Sequence, residues 1–213
     1  MMNNLIILAS SSERRIFLLK KLGVDFTPVN HALQIEPQFS SFAGNISIGR
    51  FAEDLALKKA ESLQEDYPDN FIIGSDTVIY LNGTVYGKPK DFDDAFNTLK
   101  ELSGKTHEVY TGVSLVNKLK NVYRTAHDKT FVKVKPLNDN EIKNYLNKYP
   151  PFDKAGSYGI QDDDGIVESY AGSFENVLGL PVQKLIPLLN EYHLIYPKLS
   201  IENYFSGFPP TRE

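Results

Sequence analysis

The stretch Phe71-Ile72-Ile73-Gly74-Ser75-Asp76-Thr77-Val78-Ile79-Tyr80-Leu81 decides how the chain is read. Two apolar, β-branched runs flank a short polar interruption, and such a run reads as a buried strand. A carboxylate inside it loses hydration on folding unless a cation, a metal ion or several hydrogen-bond donors compensate. Asn82-Gly83 follows directly, the dipeptide that marks a two-residue hairpin turn. With the turn already supplied, Asp76 is not needed as a turn or cap residue. It is read as a site carboxylate.

Upstream, Leu5-Ile6-Ile7-Leu8-Ala9 reads as another buried strand, running into Ser10-Ser11-Ser12, Glu13-Arg14-Arg15 and a helix stopped by Gly23. Serine is a preferred N-cap. A strand, a small-residue turn and a helix start also point free backbone N–H groups at an anion. Capping needs one serine, and two arginines in a first helical turn oppose the dipole. Ser10, Ser12 and Arg14 are therefore read as facing phosphate, ahead of Arg15. Residues 24–29 read as a strand and 30–46 as a loop, where Glu36 is the one acidic residue and reads as solvated. Over residues 48–63, Ile48, Phe51, Ala52, Leu55, Ala56, Ala60 and Leu63 share one helical face. Lys59 falls near the middle of that stripe. Lysine is seldom buried without a partner, so Lys59 either snorkels outward or points into a polar cleft.

Downstream, Gly87 permits close backbone approach and Pro89 stiffens the chain, which holds Lys88 firmly. Asp91 reads as the cap of a helix ended by Ser103-Gly104. Residues 108–116 and 121–135 carry strand patterning around a polar turn. Asn138 and Glu141 form a capping box for a helix ending near Tyr149. Residues 150–161 read as a loop rich in functional side chains, as binding sites often are. Asp162-Asp163-Asp164-Gly165 lacks calcium-loop spacing and reads as a solvated turn. Gly179 and Pro181 precede a final amphipathic helix through about Tyr192. Helices alternating with strands, plus hairpins, predict an α/β domain with a mixed sheet. It spans residues 1–194, and residues 195–213 form a C-terminal extension with no fold or role assigned.

Composition excludes several functions. The 213 residues, 41% hydrophobic and 23% charged, describe an ordinary globular chain able to bury a core. The absence of cysteine rules out disulfides, thiolate metal sites and cysteine nucleophiles, and fits a cytoplasmic location. No apolar run approaches a membrane span, and no signal-peptide core is present. A net charge of −4 without a basic stripe speaks against nucleic-acid binding. The four histidines show no zinc spacing, and neither GxxxxGK[ST] nor GxSxG occurs. What remains is a set of cations (Arg14, Lys59, Lys88, Lys154) with two acids (Asp76, Asp153). Phosphate-ester or anhydride chemistry with Mg²⁺ or Mn²⁺ suits that set.

Five blocks carry a family resemblance. Leu8-Ala9-Ser10-Ser11-Ser12-Glu13-Arg14-Arg15 is similar to LASxSPRR, Gly74-Ser75-Asp76-Thr77 to GADT, and Gly87-Lys88-Pro89 to GKP. Leu102-Ser103-Gly104-Lys105-Thr106-His107 is similar to LSGxTH, and residues 153–161 to DKAGAYGIQ. Together, in this order, they resemble the Maf (septum formation protein) family of nucleoside triphosphate pyrophosphatases, from about Leu5 to Leu189. The resemblance implies an elongated mixed sheet flanked by helices around a central nucleotide-binding cleft, Maf/ITPase-like. It implies hydrolysis of a nucleoside triphosphate to the monophosphate and pyrophosphate with a divalent cation, with roles in nucleotide-pool house-cleaning and cell-division arrest. By matching position, Asp76 would activate water, and Arg14, Thr77 and Gln161 would set base preference, resembling the dTTP/UTP branch. Ser10, Lys59, Lys88, Asp153 and Lys154 fall where the family binds phosphates or metal. Glu36 matches a metal-binding acid only after a one-residue shift, and Glu13 stands in place of the family's proline. A homodimer stays open, as do two alternatives: the same reaction on modified pyrimidine or other nucleotides, and a nucleotide-binding division regulator with little catalysis.

Overall fold

The computed structural model describes residues 5–33, 46–163, 165–195 and 198–205. Among them, seven strands form one sheet: β1 (Ile6–Leu8), β2 (Phe26–Pro28), β3 (Ile72–Leu81), β4 (Thr84–Tyr86), β5 (Thr106–Asn117), β6 (Val122–Val134) and β7 (Val167–Ala171). Their order is β2-β1-β3-β5-β6-β7, with β4 pairing β3. β1 is parallel to β2 and β3, and the other pairings are antiparallel, so the sheet is mixed as expected. The helices are α1 (Glu13–Lys21), α2 (Ile48–Glu61), α3 (Phe92–Leu102), α4 (Asp139–Lys148), α5 (Phe174–Leu178), α6 (Val182–Glu191) and α7 (Ile201–Phe205). None is long and apolar enough to cross a membrane.

The stretch that decided the reading is β3, and Asn82 and Gly83 turn with φ 50° and 91°, as a two-residue hairpin requires. Its two edges are paired unequally. On one side β5 matches it from Ile72 to Tyr80. On the other, β1 reaches only Ile73 and β4 starts at Ile79. Among the described residues, then, 74–78 have no strand on that edge. β1 runs toward this gap and ends in the serine turn; β4 runs toward it from the opposite side and ends in Gly87-Lys88. Two segments far apart in sequence meet at one break in the sheet.

Helix α2 lies over the face that carries Gly74, Asp76 and Gly112. A Cβ at Gly74 would fall 2.0 Å from the Ala56 carbonyl oxygen, and one at Gly112 2.1 Å from that of Ala52. These glycines let the helix backbone touch the sheet, and Ser114 Oγ donates to the Ala56 carbonyl at 2.9 Å. Strand side chains alternate between faces, so Ile73, Ile79, Val109 and Leu115 point the other way. There α1 and α6 (Leu18, Leu19, Leu185, Leu189) pack on Ile73 and Leu115. α3 and α4 (Leu99, Leu102, Ile142) pack on Ile79 and Val109. The cap on Asp91 and the box on Asn138 and Glu141 form as expected.

Three features differ from the sequence reading. β7 and α5 were not anticipated, since a polar five-residue edge strand and a five-residue helix carry too little periodicity. The C-terminal extension, to which the sequence assigned no fold, is described at 195 and over 198–205. Ile195 and Tyr204 bury in the α1/α6 core, and the Asn190 side chain bonds both backbone groups of Leu199, at 2.8 and 3.3 Å. Asp162, expected in a solvated turn, instead accepts hydrogen bonds from the Tyr145 hydroxyl and the Gly159 N–H. The loop folds back over α4, and an acceptor-only side chain meets two donors there.

Candidate active site

A cleft of about 1520 Å³ opens at the unpaired edge of β3. Because Asp76 and Thr77 alternate across the strand, only an open edge lets one cavity reach both. The cleft gathers Ser10, Ser12, Arg14, Lys59, Asp76, Thr77, Lys88, Asp153, Lys154 and Gln161. Glu36 lies outside the described residues.

Lys59 does not snorkel. Its side chain is 2% exposed and forms an ion pair with Asp76 Oδ1, whose own side chain is 9% exposed. Gly74, two residues before Asp76, lets α2 descend far enough for this contact. No other described residue bonds to the Asp76 carboxylate.

Behind the serine turn, Arg15 ties three segments together. Its Nε donates to the Gly179 carbonyl at 2.7 Å, Nη1 to Ser10 Oγ at 3.3 Å and Nη2 to Thr77 Oγ1 at 3.4 Å. The sequence ranked Arg15 below Arg14, and the structure gives it the larger organising role. Ser75 Oγ also reaches the Gly179 carbonyl, at 2.9 Å. Gly179 has φ 110°, and a Cβ there would lie 3.3 Å from Thr77 Oγ1. The glycine before Pro181 was the available signal for this contact. Ser12 occupies the N-cap of α1 yet makes no side-chain cap bond, so its hydroxyl does not take a helix N–H.

On the opposite wall Arg14 Nη1 meets Asp153 Oδ2 at 2.5 Å, and Nη2 donates to the Asp153 carbonyl at 3.0 Å. Lys154 Nζ is 3.7 Å from Asp153 Oδ1 and donates to the Pro150 carbonyl at 2.7 Å. Burial works to raise the Asp153 carboxyl, but the Arg14 hydrogen bond and charge, with Lys154, hold it below the usual range. Both Asp153 oxygens thus already face cations. Lys88 is exposed at the mouth. A Cβ at Gly87 would meet nothing within 4 Å, so packing does not demand the glycine expected for close approach. Tyr158 lines the wall, its hydroxyl 2.7 Å from His107 Nε2. Burial pushes His107 down to about 4, so its ring is neutral at neutral pH.

Among the described residues no three His, Asp or Glu side chains cluster as a metal cage. Mg²⁺ needs none, being usually held by one or two carboxylates with water and substrate phosphates. Asp76, open to the cleft beside phosphate-type cations, fits that mode; Asp153, committed to Arg14 and Lys154, fits it less well.

The family model described as "Maf-like protein" matches residues 5–192. The chain is 39% identical over 191 residues to a protein of Clostridium perfringens (strain SM101 / Type A) named dTTP/UTP pyrophosphatase, covering 89% of this chain and 97% of that one. A protein of Thermosipho melanesiensis with the same name is 41% identical over 191 residues, covering 89% and 99%. Among solved structures, the Staphylococcus aureus Ham1 protein aligns with a TM-score of 0.42 and 15% identity, over 61% of this chain and 71% of that one.

Proposed function

The chain belongs to the Maf-like family, and from that premise we propose that it hydrolyses dTTP and UTP to the monophosphate and pyrophosphate. The observation that carries this reading is the buried Lys59–Asp76 pair on the open edge of β3, ringed by cations from three other segments. A carboxylate without a described donor on its second oxygen, beside a phosphate-sized space, is equipped to orient and deprotonate water.

In this mechanism the triphosphate lies across the Ser10–Arg15 turn and the Lys88 segment. Asp76 accepts a proton from water as its oxygen attacks the α-phosphorus; the bond from that phosphorus to the bridging oxygen breaks, and pyrophosphate leaves. Lys59 holds Asp76 in place and adds positive charge near the reacting phosphate. Lys88 and Lys154 neutralise charge on the leaving group. When bound, a divalent cation such as Mg²⁺ or Mn²⁺ would be held by Asp76 and would supply further charge neutralisation. The cysteine-free chain suits a reducing compartment, the cytoplasm.

Incubation with dTTP, UTP, CTP, GTP and ATP plus Mg²⁺ or Mn²⁺ tests the proposal, reading pyrophosphate against orthophosphate. Pyrophosphate release fastest from dTTP and UTP is the expected result. Orthophosphate as the product, a purine optimum, or tight binding without turnover would each overturn it.

A further inference from the structure

We propose that the cleft is locked to offer hydrogen-bond acceptors to the base, through Thr111 behind Thr77 and Asp162 behind Gln161, and that this selects uracil and thymine over cytosine. The inference rests on the pyrophosphatase reading above and adds the groups that set its selectivity. Neither Thr111 nor Asp162 lines the cleft. Both are positioning residues.

Thr111 is fully buried on β5, opposite Thr77 in the ladder. Its hydroxyl donates to the Asn176 carbonyl at 2.6 Å, and a carbonyl can only accept. Thr77 Oγ1 lies 3.1 Å from Thr111 Oγ1. With the Thr111 hydrogen already committed, the hydrogen between the two oxygens must come from Thr77, since two bare oxygens in contact would repel. Thr77 therefore meets the cleft with lone pairs, one of them turned to Arg15 Nη2.

Gln161 is fixed by the same logic. Asp162 is acceptor-only as a carboxylate. Its Oδ2 takes the Tyr145 hydroxyl and, at 3.1 Å, the Gly159 N–H, while Oδ1 faces Gln161 Nε2 at 3.1 Å. Burial and the Asp162 hydrogen bond raise the Tyr145 hydroxyl far above its ordinary range, which keeps it a donor. The amide of Gln161 must turn its NH₂ toward Asp162. That leaves Oε1 and the second amide hydrogen for a ligand. Uracil and thymine carry a hydrogen on N3, whereas cytosine presents a bare N3 and an amino group beside it. An acceptor held against N3, with the second Gln161 amide hydrogen turned to the neighbouring O4, matches the first pattern and opposes the second.

UTP and CTP share sugar and phosphates, so their kcat/KM ratio isolates the base. In Asp162→Asn, the Tyr145 and Gly159 donors retain the new side chain's oxygen and turn its NH₂ toward Gln161. The Gln161 amide then rotates and offers NH₂ to the cleft. The UTP/CTP ratio should fall roughly tenfold or more, with an absolute gain on CTP, the scale of one mispaired hydrogen bond. A merely structural lesion would lower both substrates alike and leave the ratio unchanged. Thr111→Val frees the Thr77 hydroxyl to donate and should lower the ratio too; it serves as the test if Asp162→Asn fails to fold by circular dichroism. An unchanged ratio in a folded variant that still hydrolyses UTP, or no preference for UTP over CTP in the unmodified protein, overturns the positioning. Failure of the unmodified protein to release pyrophosphate from UTP overturns the pyrophosphatase reading instead.

Discussion

Lys59 and Asp76, 17 residues apart on a helix and a strand, form an ion pair whose side chains are 2% and 9% exposed, the carboxylate keeping its one opening toward the cleft. Removing one partner of such a pair commonly costs about 3–5 kcal/mol, whereas removing both charges is often far milder. Asp76→Asn should lower the denaturation midpoint and cut pyrophosphate release at least about a hundredfold, as loss of a general base does, while nucleotide still binds. The double variant Lys59→Met/Asp76→Asn should regain part of the stability and none of the turnover. Urea titrations and a pyrophosphate assay on the three proteins check this, and near-normal turnover in Asp76→Asn would remove that residue from its role.

The same pair depends on Gly74. In Gly74→Ala the new methyl group collides with the Ala56 carbonyl oxygen and crowds Ser114 Oγ at 2.7 Å. Backbone on one side of that contact cannot yield as a side-chain tip would, so roughly 1–3 kcal/mol or more of stability should be lost. α2 must lift, separating Lys59 from Asp76, so turnover should fall with it. Gly87→Ala is the contrast, with open space around the added methyl, and its unfolding midpoint should stay within about 0.5 kcal/mol of the parent.

His107 predicts a pH signature. Its folded-state value is depressed to about 4 by burial, against an ordinary value of 6.5. Between those limits the unfolded chain binds a proton that the folded one does not, so stability is complete above about pH 6.5 and declines as pH falls toward 4. The decline approaches about 3 kcal/mol for this single group. Thermal melts from pH 4 to 7 should show a steeper slope for the parent than for His107→Gln, and parallel slopes would refute the assignment.

In the described part of the C-terminal extension, Ile195, Leu199 and Tyr204 pack into the α1/α6 core. Tyr204 is 5% exposed within the α1/α6 core. Tyr204→Ala should cost roughly 3 kcal/mol, the usual scale for emptying a buried aromatic site. Pyrophosphate release per folded molecule should be unchanged. A large loss of activity at full stability would give the extension a role in the site.

Much of this was legible in the residues. The interrupted strand around Asp76, the Asn82-Gly83 turn, the capping box at Asn138 and the lysine within the stripe of α2 all follow from local periodicity and turn chemistry. Local rules failed where the pattern was short or where partners were distant. Strand β7 and helix α5 were too brief to announce a period. Arg15 looked secondary because its partners, Ser10, Thr77 and Gly179, come from three segments. Asp162 looked solvated because the sequence does not tell that Tyr145 faces it.

By itself, the sequence determined which groups carry charge, which helix and strand carry them, and which family's motifs they form, because each depends on neighbours within a few residues. The tertiary structure alone decided that β1 and β4 stop short of each other along β3, that Lys59 turns inward to Asp76, and which way the hydrogens of Thr77 and Gln161 point. Strand pairing and hydrogen-bond direction are set by whatever atom lies opposite, and that atom is supplied by a part of the chain no local pattern can reach.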